Sequence, residues 1–261
     1  MRLENKVAIV VGAGVQHQGA RTGSVGNGTA AAIIFAREGA KVLLVDRQED
    51  RLAEAARIIK EEGGEAAIHI ANITEEAQCA GLVKACIDRW GRVDILQNNV
   101  GVAPPSGFPD TTVDSINADD FDRMMQVNVR AMAITTKYVM PGMRAQKSGS
   151  IVNISSGAAL IAMPILAYSC SKAAVHAFTQ HVAGAGGPDG IRCNCVVVGG
   201  VDNRFARGTP WDIAYASAFL HSEEARFITS VMLPVDGGMS ANLSMLAPDG
   251  GPPKGGLPRD F

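Results

Sequence analysis

One stretch of the chain, Ser150 to Val182, decides the fold, and it reads SIVNISSGAALIAMPILAYSCSKAAVHAFTQHV. Its first apolar run, Ile151 to Ile154, is short enough to be a buried strand, and Ser155 and Ser156 stand at its end. A loop containing Pro164 comes next. Beyond the loop, the spacing of small and apolar residues predicts an amphipathic helix whose inward face consists of Ala173, Ala174, Ala177, Phe178 and Val182.

Two side chains that can do chemistry, Tyr168 and Lys172, are four residues apart at the start of this helix. Residues at that spacing share a helix face, so the phenol and the ammonium point the same way. A phenol titrates near ~10, and a nearby cation lowers that pKa. Tyr168 is therefore a candidate general acid or base, with a serine hydroxyl close by to bind a reacting oxygen. A Tyr-Lys pair at this spacing also occurs in amphipathic helices without a catalytic role. The preceding strand and its two serines are what favour an active site here.

The order strand, Ser-Ser, loop and Tyr-x-x-x-Lys resembles the active site of the short-chain dehydrogenase/reductase family. The resemblance implies that serine polarises a carbonyl or an alcohol and that Tyr168 transfers the proton. It also implies that Lys172 lowers the phenol pKa and holds the nicotinamide ribose. Ser156 aligns with the catalytic serine, but with Ser156 in that role the loop to Tyr168 is one residue shorter than the family's. Ser155 is therefore kept as the alternative.

A fourth catalytic residue implied by the resemblance, Asn128, interrupts a long helix predicted from Asn117 to Met143. A buried asparagine is costly unless it is hydrogen-bonded, and the family uses this position to hold a water that contacts the lysine. The alternative is an ordinary contact between helices. The predicted apolar face of this helix consists of Phe121, Met125, Val129 and Met132.

The start of the chain predicts a nucleotide site, because a strand from Lys6 to Val11 leads through glycine-rich sequence into a helix. The family's G-x-x-x-G-x-G motif is matched by Gly12, Gly26, Asn27 and Gly28. About ten extra residues separate the first two glycines, and this insertion, 15–25, is predicted to be a surface loop. In the alternative, one of its polar side chains reaches the cofactor or substrate: Gln16, His17 or Arg21.

The residue that favours NAD over NADP is Asp46, at the tip of the second predicted strand. A carboxylate there accepts the ribose hydroxyls of NAD and repels a 2′-phosphate. Arg47 and Arg21 support the alternative, an NADP-dependent reductase, because arginine pairs with phosphate. Further cofactor contacts follow from the resemblance, namely Asn72, Ile73, Asn99, Gly101, Gly199, Val201 and Asn203, with Tyr168 and Lys172.

The segment that forms a helical lid over the substrate in the family is reduced here to Arg204 to Pro210. Seven extended residues span about 23 Å, which connects a strand to a helix but leaves no length for a helical cover. We therefore expect an open substrate cleft with weak discrimination among alcohols, unless the 15–25 insertion folds across it. The remaining pocket segments are mostly apolar, which favours a hydrophobic or cyclic alcohol.

Composition excludes several other classes of protein. The net charge of −2 gives no reason to expect a nucleic acid or a membrane surface as partner, and 47% of the residues are hydrophobic. Five scattered cysteines without metal-site spacing fit a reducing cytoplasm, and no metal is expected. The charged start of the chain is unlike a signal peptide.

Together these features predict one α/β domain, residues 1–240, and an extended Gly- and Pro-rich tail, 241–261. The expected fold is a doubly wound, mainly parallel sheet of about seven strands flanked by helices, the Rossmann fold. The expected function is NAD-dependent interconversion of a secondary alcohol and a ketone, by a homotetramer or homodimer. A non-catalytic nucleotide-binding protein with an incomplete lid is the remaining alternative.

Overall fold

The computed structural model describes residues 1–14, 25–103, 113–201 and 208–241 of the chain. Strands and helices alternate through these residues. The central strands are buried along their whole length, as expected for strands that are covered on both faces. The strands are β1 (Val7–Val11), β2 (Lys41–Asp46), β3 (Ala66–Ile70), β4 (Ile95–Asn98), β5 (Gly149–Ser156), β6 (Ile191–Val198) and β7 (Met232–Val235).

These strands form one seven-stranded sheet in the order β3-β2-β1-β4-β5-β6-β7. Every neighbouring pair is parallel. The chain winds outward from β1 to β3, returns to place β4 beside β1, and then winds outward to β7. Connections after β1 and β4 therefore leave in opposite directions, which opens a crevice at the carboxyl edge of the sheet. The predicted doubly wound α/β fold is confirmed.

Helices cover both faces of the sheet, because successive strand residues point to opposite sides. Val7, Ile9 and Val11 of β1 belong to the core on one face, and Ala8 and Val10 belong to the core on the other. The helices of the described residues are α1 (Asn27–Arg37), α2 (Glu49–Glu61), α3 (Glu76–Trp90), α4 (Ala118–Met125), α5 (Ala131–Gln146), α6 (Leu166–Gly186) and α7 (Pro210–His221). The first face is covered by α3, α5 and α6, and the second by α1, α2 and α7.

The helix predicted from Asn117 to Met143 is present but is not a regular α-helix. Asn117 caps it by accepting a hydrogen bond from the Asp120 amide at 3.1 Å. A π-helical turn, Gln126–Arg130, then separates α4 from α5. Only Met132 of the four residues predicted for the apolar face is fully buried. The buried stripe instead contains Met124, Val127, Asn128 and Ala131, so it is offset by one residue from the predicted face.

The inward face of α6 also differs from the prediction. Ala173 and Ala177 are exposed, whereas polar residues on the other side of the helix are buried: Ser171, Lys172 and Thr179. Val182 is buried as predicted and Phe178 packs on the core, so the hydrophobic spacing located only part of the inward face. The burial of the polar residues is compensated by hydrogen bonds. Although α6 has 21 residues, no helix in the described residues is long and apolar enough to cross a membrane.

The last strand, β7, has only four residues. A 3-10 turn, Glu223–Ala225, follows α7, and β7 begins only at Met232. Phe227 is 99% exposed, so it belongs to a surface connection rather than to the sheet.

Candidate active site

The carboxyl edge of the sheet brings Ser156, Tyr168 and Lys172 together. Ser156 is the last residue of β5, and Tyr168 and Lys172 lie in the first two turns of α6. The Ser156 side chain is close enough to the Tyr168 phenol to act on its pKa, which it lowers. The Lys172 Nζ atom lies 5.6 Å from the centre of the Tyr168 ring. A hydroxyl, a phenol and an ammonium therefore meet at one point, as the four-residue spacing predicted.

The structure distinguishes the two serines at the end of β5. Ser155 is buried, and its Oγ donates to the backbone oxygen of Lys172 at 2.9 Å. Ser156 has the opposite orientation, as expected for successive strand residues, and is half-buried. Its Oγ also accepts a hydrogen bond from the Ala158 amide at 3.2 Å. This geometry favours Ser156 as the oxygen-binding serine and gives Ser155 the structural task of joining β5 to α6.

Burial is the main cause of the pKa shifts of Tyr168 and Lys172. Burial raises the pKa of the Tyr168 phenol, and the Ser156 side chain acts in the opposite direction. Burial also lowers the pKa of Lys172 to about 8, with a small opposing effect of Cys195. The net lowering of the phenol pKa that was expected from Lys172 is not found, because desolvation of the phenol dominates. Lys172 Nζ donates to the backbone oxygen of Ile154 at 3.0 Å.

Asn128 lies in the π-helical turn and is fully buried. Its Oδ1 accepts from the Val102 amide at 2.7 Å, and its Nδ2 donates to the Val102 oxygen at 2.9 Å. The same Nδ2 donates to Ser171 Oγ at 3.0 Å, and Ser171 Oγ donates to the backbone oxygen of Tyr168 at 2.7 Å. Asn128 therefore ties the segment after β4 to the first turn of α6. Such π-helical turns are frequent at functional sites.

The predicted glycine motif forms a close contact between the β1–α1 connection and the start of α1. A β-carbon on Gly28 would lie 1.9 Å from the Gly12 backbone oxygen, so no side chain fits there. Gly12 has φ +85° and contacts Val100, and the Asn99 amide donates to its oxygen at 3.1 Å. Gly26 is the N-cap of α1 and offers no side-chain acceptor, so backbone N–H groups are presented at this terminus. This is the arrangement that suits a phosphate.

Asp46 lies at the carboxyl end of β2 and is held by backbone groups. Its Oδ1 accepts from the amides of Arg47 at 2.7 Å and Gln48 at 3.3 Å, and its Oδ2 accepts from Gly14 at 3.3 Å. A β-carbon on Gly14 would lie 2.7 Å from Oδ2, so a glycine is needed beside this carboxylate. Oδ2 keeps the greater remaining capacity to accept a hydrogen bond from a bound hydroxyl.

A cavity of about 280 Å³ extends along this edge of the sheet. Four of the predicted cofactor residues line it together with Gly12 and Asp46, namely Asn72, Ile73, Asn99 and Gly101. Gly101 also lies next to the catalytic set, because a β-carbon there would be 3.0 Å from Lys172 Nζ. The cavity therefore connects Asp46 with the region of Lys172.

The remaining predicted contacts follow β6. Gly199 packs against Asp236, and Val201 pairs with Gly208 across a parallel bridge. Asn203 lies outside the described residues. Residues 204–207 of the shortened segment and residues 15–24 of the insertion, which include His17 and Arg21, also lie outside the described residues. The open-cleft prediction and the role of the insertion therefore stay predictions.

Several residues at this site were missed by sequence reasoning. Gly14, Arg51 and Arg123 line the cavity, and Ser171 joins Asn128 to Tyr168. Gly14 was detectable, since it belongs to the same glycine-rich connection as Gly12. Arg51 and Arg123 sit on charged helix surfaces, where no local pattern distinguishes a cavity-lining arginine from a solvated one.

The sequence model of the family described as "short chain dehydrogenase" matches residues 6–211 of this chain. The chain belongs to the short-chain dehydrogenase family. A borneol dehydrogenase of Lavandula x intermedia is 32% identical over 256 residues, covering 92% of each chain. A cyclopentanol dehydrogenase of Comamonas sp. is 31% identical over 263 residues, covering 92% of this chain and 99% of the relative.

Solved structures agree with this membership of the short-chain dehydrogenase family. A putative short-chain dehydrogenase/reductase from Burkholderia xenovorans superposes with a TM-score of 0.84 at 33% identity. The superposition covers 92% of this chain and 98% of the other. The protein is therefore an oxidoreductase of a family that uses a nicotinamide cofactor and acts on alcohols.

Proposed function

We propose that this protein is an NAD-dependent dehydrogenase that interconverts a cyclic or otherwise hydrophobic secondary alcohol and its ketone. The observation that carries the proposal is the meeting of Ser156, Tyr168 and Lys172 next to Gly101, which lines the same cavity as Asp46. A phenol beside a serine hydroxyl suits proton transfer to or from a substrate oxygen that lies between the two groups.

The described residues fit a nicotinamide dinucleotide. The Gly12–Gly28 contact leaves the backbone exposed where a side chain would stand, and the start of α1 presents N–H groups to a pyrophosphate. Asp46 would accept a ribose hydroxyl, and Asn72 and Ile73 would lie beside the adenine. The nicotinamide half of the dinucleotide would be surrounded by Tyr168, Lys172, Asn99 and the residues after β6. When bound, the nicotinamide ring exchanges a hydride with the carbinol carbon of the substrate.

The proton transfers are assigned to this chain's own side chains. In alcohol oxidation Ser156 holds the substrate oxygen, and Tyr168, in its deprotonated form, removes the hydroxyl proton. The Lys172 ammonium, 5.6 Å from the ring centre, offsets part of the cost of that charge in a buried position. In ketone reduction the Tyr168 phenol returns the proton to the same oxygen. Asn128 acts by positioning, because it fixes α6 relative to the segment after β4.

The substrate class rests on apolar residues in the loop after Ser156 and on similarity. Leu160 and Met163, in the loop between Ser156 and α6, are exposed apolar residues at 47% and 38%. The two relatives described above act, by their names, on borneol and cyclopentanol, which are cyclic secondary alcohols.

A spectrophotometric assay tests the proposal. Cyclopentanol, borneol and acyclic secondary alcohols would each be offered with NAD and with NADP, and reduced cofactor would be followed at its absorbance band. We expect turnover with NAD and a higher kcat/KM for the cyclic alcohols. Absence of turnover with every alcohol and every matching ketone, by protein shown to bind NAD, would support the non-catalytic alternative.

An NADP-dependent carbonyl reductase is the second candidate, because Arg47 and Arg51 line the cavity beside Asp46. In the described residues neither guanidinium forms an ion pair with that carboxylate. Asp46 opposes a 2′-phosphate, since an uncompensated −1 facing about −2 is costly in a partly buried site. A lower KM for NADP than for NAD would select this candidate.

We also propose a cytoplasmic homotetramer or homodimer, joined partly through α5 and α6. Exposed Ala173 and Ala177, with half-buried Phe178, give α6 an outward apolar strip that a second copy would cover. Sedimentation equilibrium measures the assembly directly, and a monomer at micromolar concentration would contradict the proposal.

A further inference from the structure

The turn that ends the described chain holds Met239 against the loop that follows Ser156. A β-carbon on Gly157, the residue after Ser156, would lie 2.6 Å from Met239 Cε. The methionine methyl therefore occupies the space that a side chain at 157 would need. Gly157 is buried and Met239 is half-buried, so the thioether covers the loop with one side and keeps the other exposed.

The position of Met239 is set by a hydrogen-bonded turn. Asp236 Oδ1 accepts from the Gly238 amide at 2.8 Å, and Oδ2 accepts from the Ser240 amide at 2.8 Å. The Met239 amide itself donates to the Asp236 backbone oxygen at 3.2 Å. A β-carbon on Gly199 would lie 2.4 Å from Asp236 Cβ, so this turn also packs closely on the segment after β6. Met239 is therefore directed towards Gly157 by structure on both sides.

The loop that Met239 packs against begins next to Ser156 and carries apolar side chains. Leu160 and Met163 belong to the same loop as Gly157 and are partly exposed. A substrate oxygen that reaches Ser156 and Tyr168 must place its carbon skeleton next to this loop. Methionine is unbranched and polarisable, and it adapts to irregular apolar shapes.

We propose that Met239 contacts the hydrocarbon ring of the substrate and limits the size of the cyclic alcohol that the enzyme accepts. This inference rests on the proposed dehydrogenase function and adds a specificity-determining residue to it. The stretch around Asp236 therefore serves the substrate side of the site, although its glycines and carboxylate suggest only a turn.

Kinetics with cyclopentanol and cyclooctanol test the role in specificity. Met239→Ala should raise the ratio of kcat/KM for cyclooctanol to that for cyclopentanol roughly tenfold, the effect of a few methyl-sized contacts in an apolar pocket. Met239→Leu, the matched control, conserves volume and should leave the ratio close to wild type. Gly157→Ala should move the ratio the opposite way by displacing the thioether. An unchanged ratio in active Met239→Ala would overturn the proposal, even if its melting temperature fell.

A binding measurement separates this inference from the proposed activity. Protein labelled with ¹³C in its methionine methyl groups would be saturated with NAD and then titrated with cyclooctanone, a mixture that cannot turn over. The Met239 signal, assigned by its loss in Met239→Leu, should shift on addition of the ketone beyond its position with NAD alone. No shift at saturating ketone would overturn the proposal. A shift in protein that oxidises no alcohol would retain Met239 as a ligand contact while the dehydrogenase function fails.

Discussion

The two ends of the sheet each carry a cavity, and the larger one lies far from Tyr168. At the amino edge of the strands a cavity of about 360 Å³ is lined by Ser150, Arg192, His221 and residues near them. At the carboxyl edge the cavity beside Asp46 measures about 280 Å³. The two cavities are of similar size, so volume alone does not identify the functional end of the sheet.

The polar groups at the amino edge satisfy one another. His221 lies 2.9 Å from Ser150 Oγ through Nδ1 and 3.0 Å from Gln97 Oε1 through Nε2. Arg192 donates to the Leu220 oxygen at 2.6 Å and to Ser150 Oγ at 3.2 Å. This network joins the end of α7 to three strands, and it leaves few donors or acceptors for a ligand.

The carboxyl edge has the opposite character. Asp46 keeps acceptor capacity, and the Lys172 ammonium has a single hydrogen-bond acceptor, the Ile154 oxygen, among the described residues. Close backbone contacts there require glycine at positions 12 and 28. The difference teaches that unused hydrogen-bonding capacity and exposed backbone identify a ligand site better than volume does.

The strongest test of this difference removes the Tyr168 hydroxyl. Tyr168→Phe should lower kcat at least ~10²-fold, because it deletes the group that transfers the proton, while NAD binding stays near normal. Tyr138→Phe is the matched control, since that hydroxyl bonds Glu76 at 3.0 Å away from the site. Steady-state kinetics and fluorescence titration with NADH make the comparison. Retained turnover in Tyr168→Phe would remove this residue from the mechanism.

A second test fills the backbone contact at the same edge. Gly28→Ala places a methyl group 1.9 Å from the Gly12 oxygen, and because that neighbour is backbone, the β1–α1 connection must shift. We expect NAD affinity to fall by at least about tenfold, because the start of α1 is displaced from the pyrophosphate. Gly81→Ala, in open space on α3, is the control and should bind NAD normally. Equal NAD affinity in both variants would contradict the assigned cofactor position.

Sequence reasoning reached the fold because its signals are local and repeated. Alternating apolar strands and helices determine the sheet, and the Ser156, Tyr168 and Lys172 spacing places three groups at one edge. It located only part of the buried face of α6, since Lys172 is buried through a hydrogen bond to another element. The direction of the Tyr168 pKa shift was also beyond reach, because desolvation depends on atoms from distant parts of the chain.

The contact between Met239 and Gly157 is another feature that local sequence patterns could not predict. Eighty-two positions separate the two residues, and neither has a neighbour pattern that indicates the other. Asn128 is an intermediate case. Its polarity within an apolar stripe was visible in the sequence, but its partners, Val102 and Ser171, come from two other elements.

A third test addresses cofactor choice at the carboxyl edge. Asp46→Ala removes a ribose acceptor and a repellent of the 2′-phosphate, so it should raise the ratio of kcat/KM with NADP to that with NAD by about tenfold. Asp50→Ala makes the same charge change at an exposed position of α2 and should leave the ratio near wild type. If wild type already prefers NADP, Arg47 and Arg51 outweigh the carboxylate and the assignment of Asp46 is wrong.

The smallest effect on activity is expected at the amino edge, where His221 should influence stability alone. Burial, aided by the charge of Arg192, lowers the pKa of His221 well below its ordinary value of 6.5. Below about pH 6.5 the unfolded chain therefore binds a proton that the folded chain does not, and the unfolding free energy falls as pH decreases.

Urea unfolding of wild type and His221→Gln at pH 7.5 and 5.5 measures this contribution. The loss of stability between the two pH values should be about 1 kcal/mol smaller in the variant, whose side chain does not titrate. His181→Gln, at an exposed position of α6, should retain the wild-type loss. Both variants should keep wild-type kcat and KM at pH 7.5, because the amino edge holds the fold together and takes no part in the reaction. A change in KM for NAD or for the alcohol in His221→Gln, at unchanged stability, would show that the two ends of the sheet are coupled and that the larger cavity has a role in function.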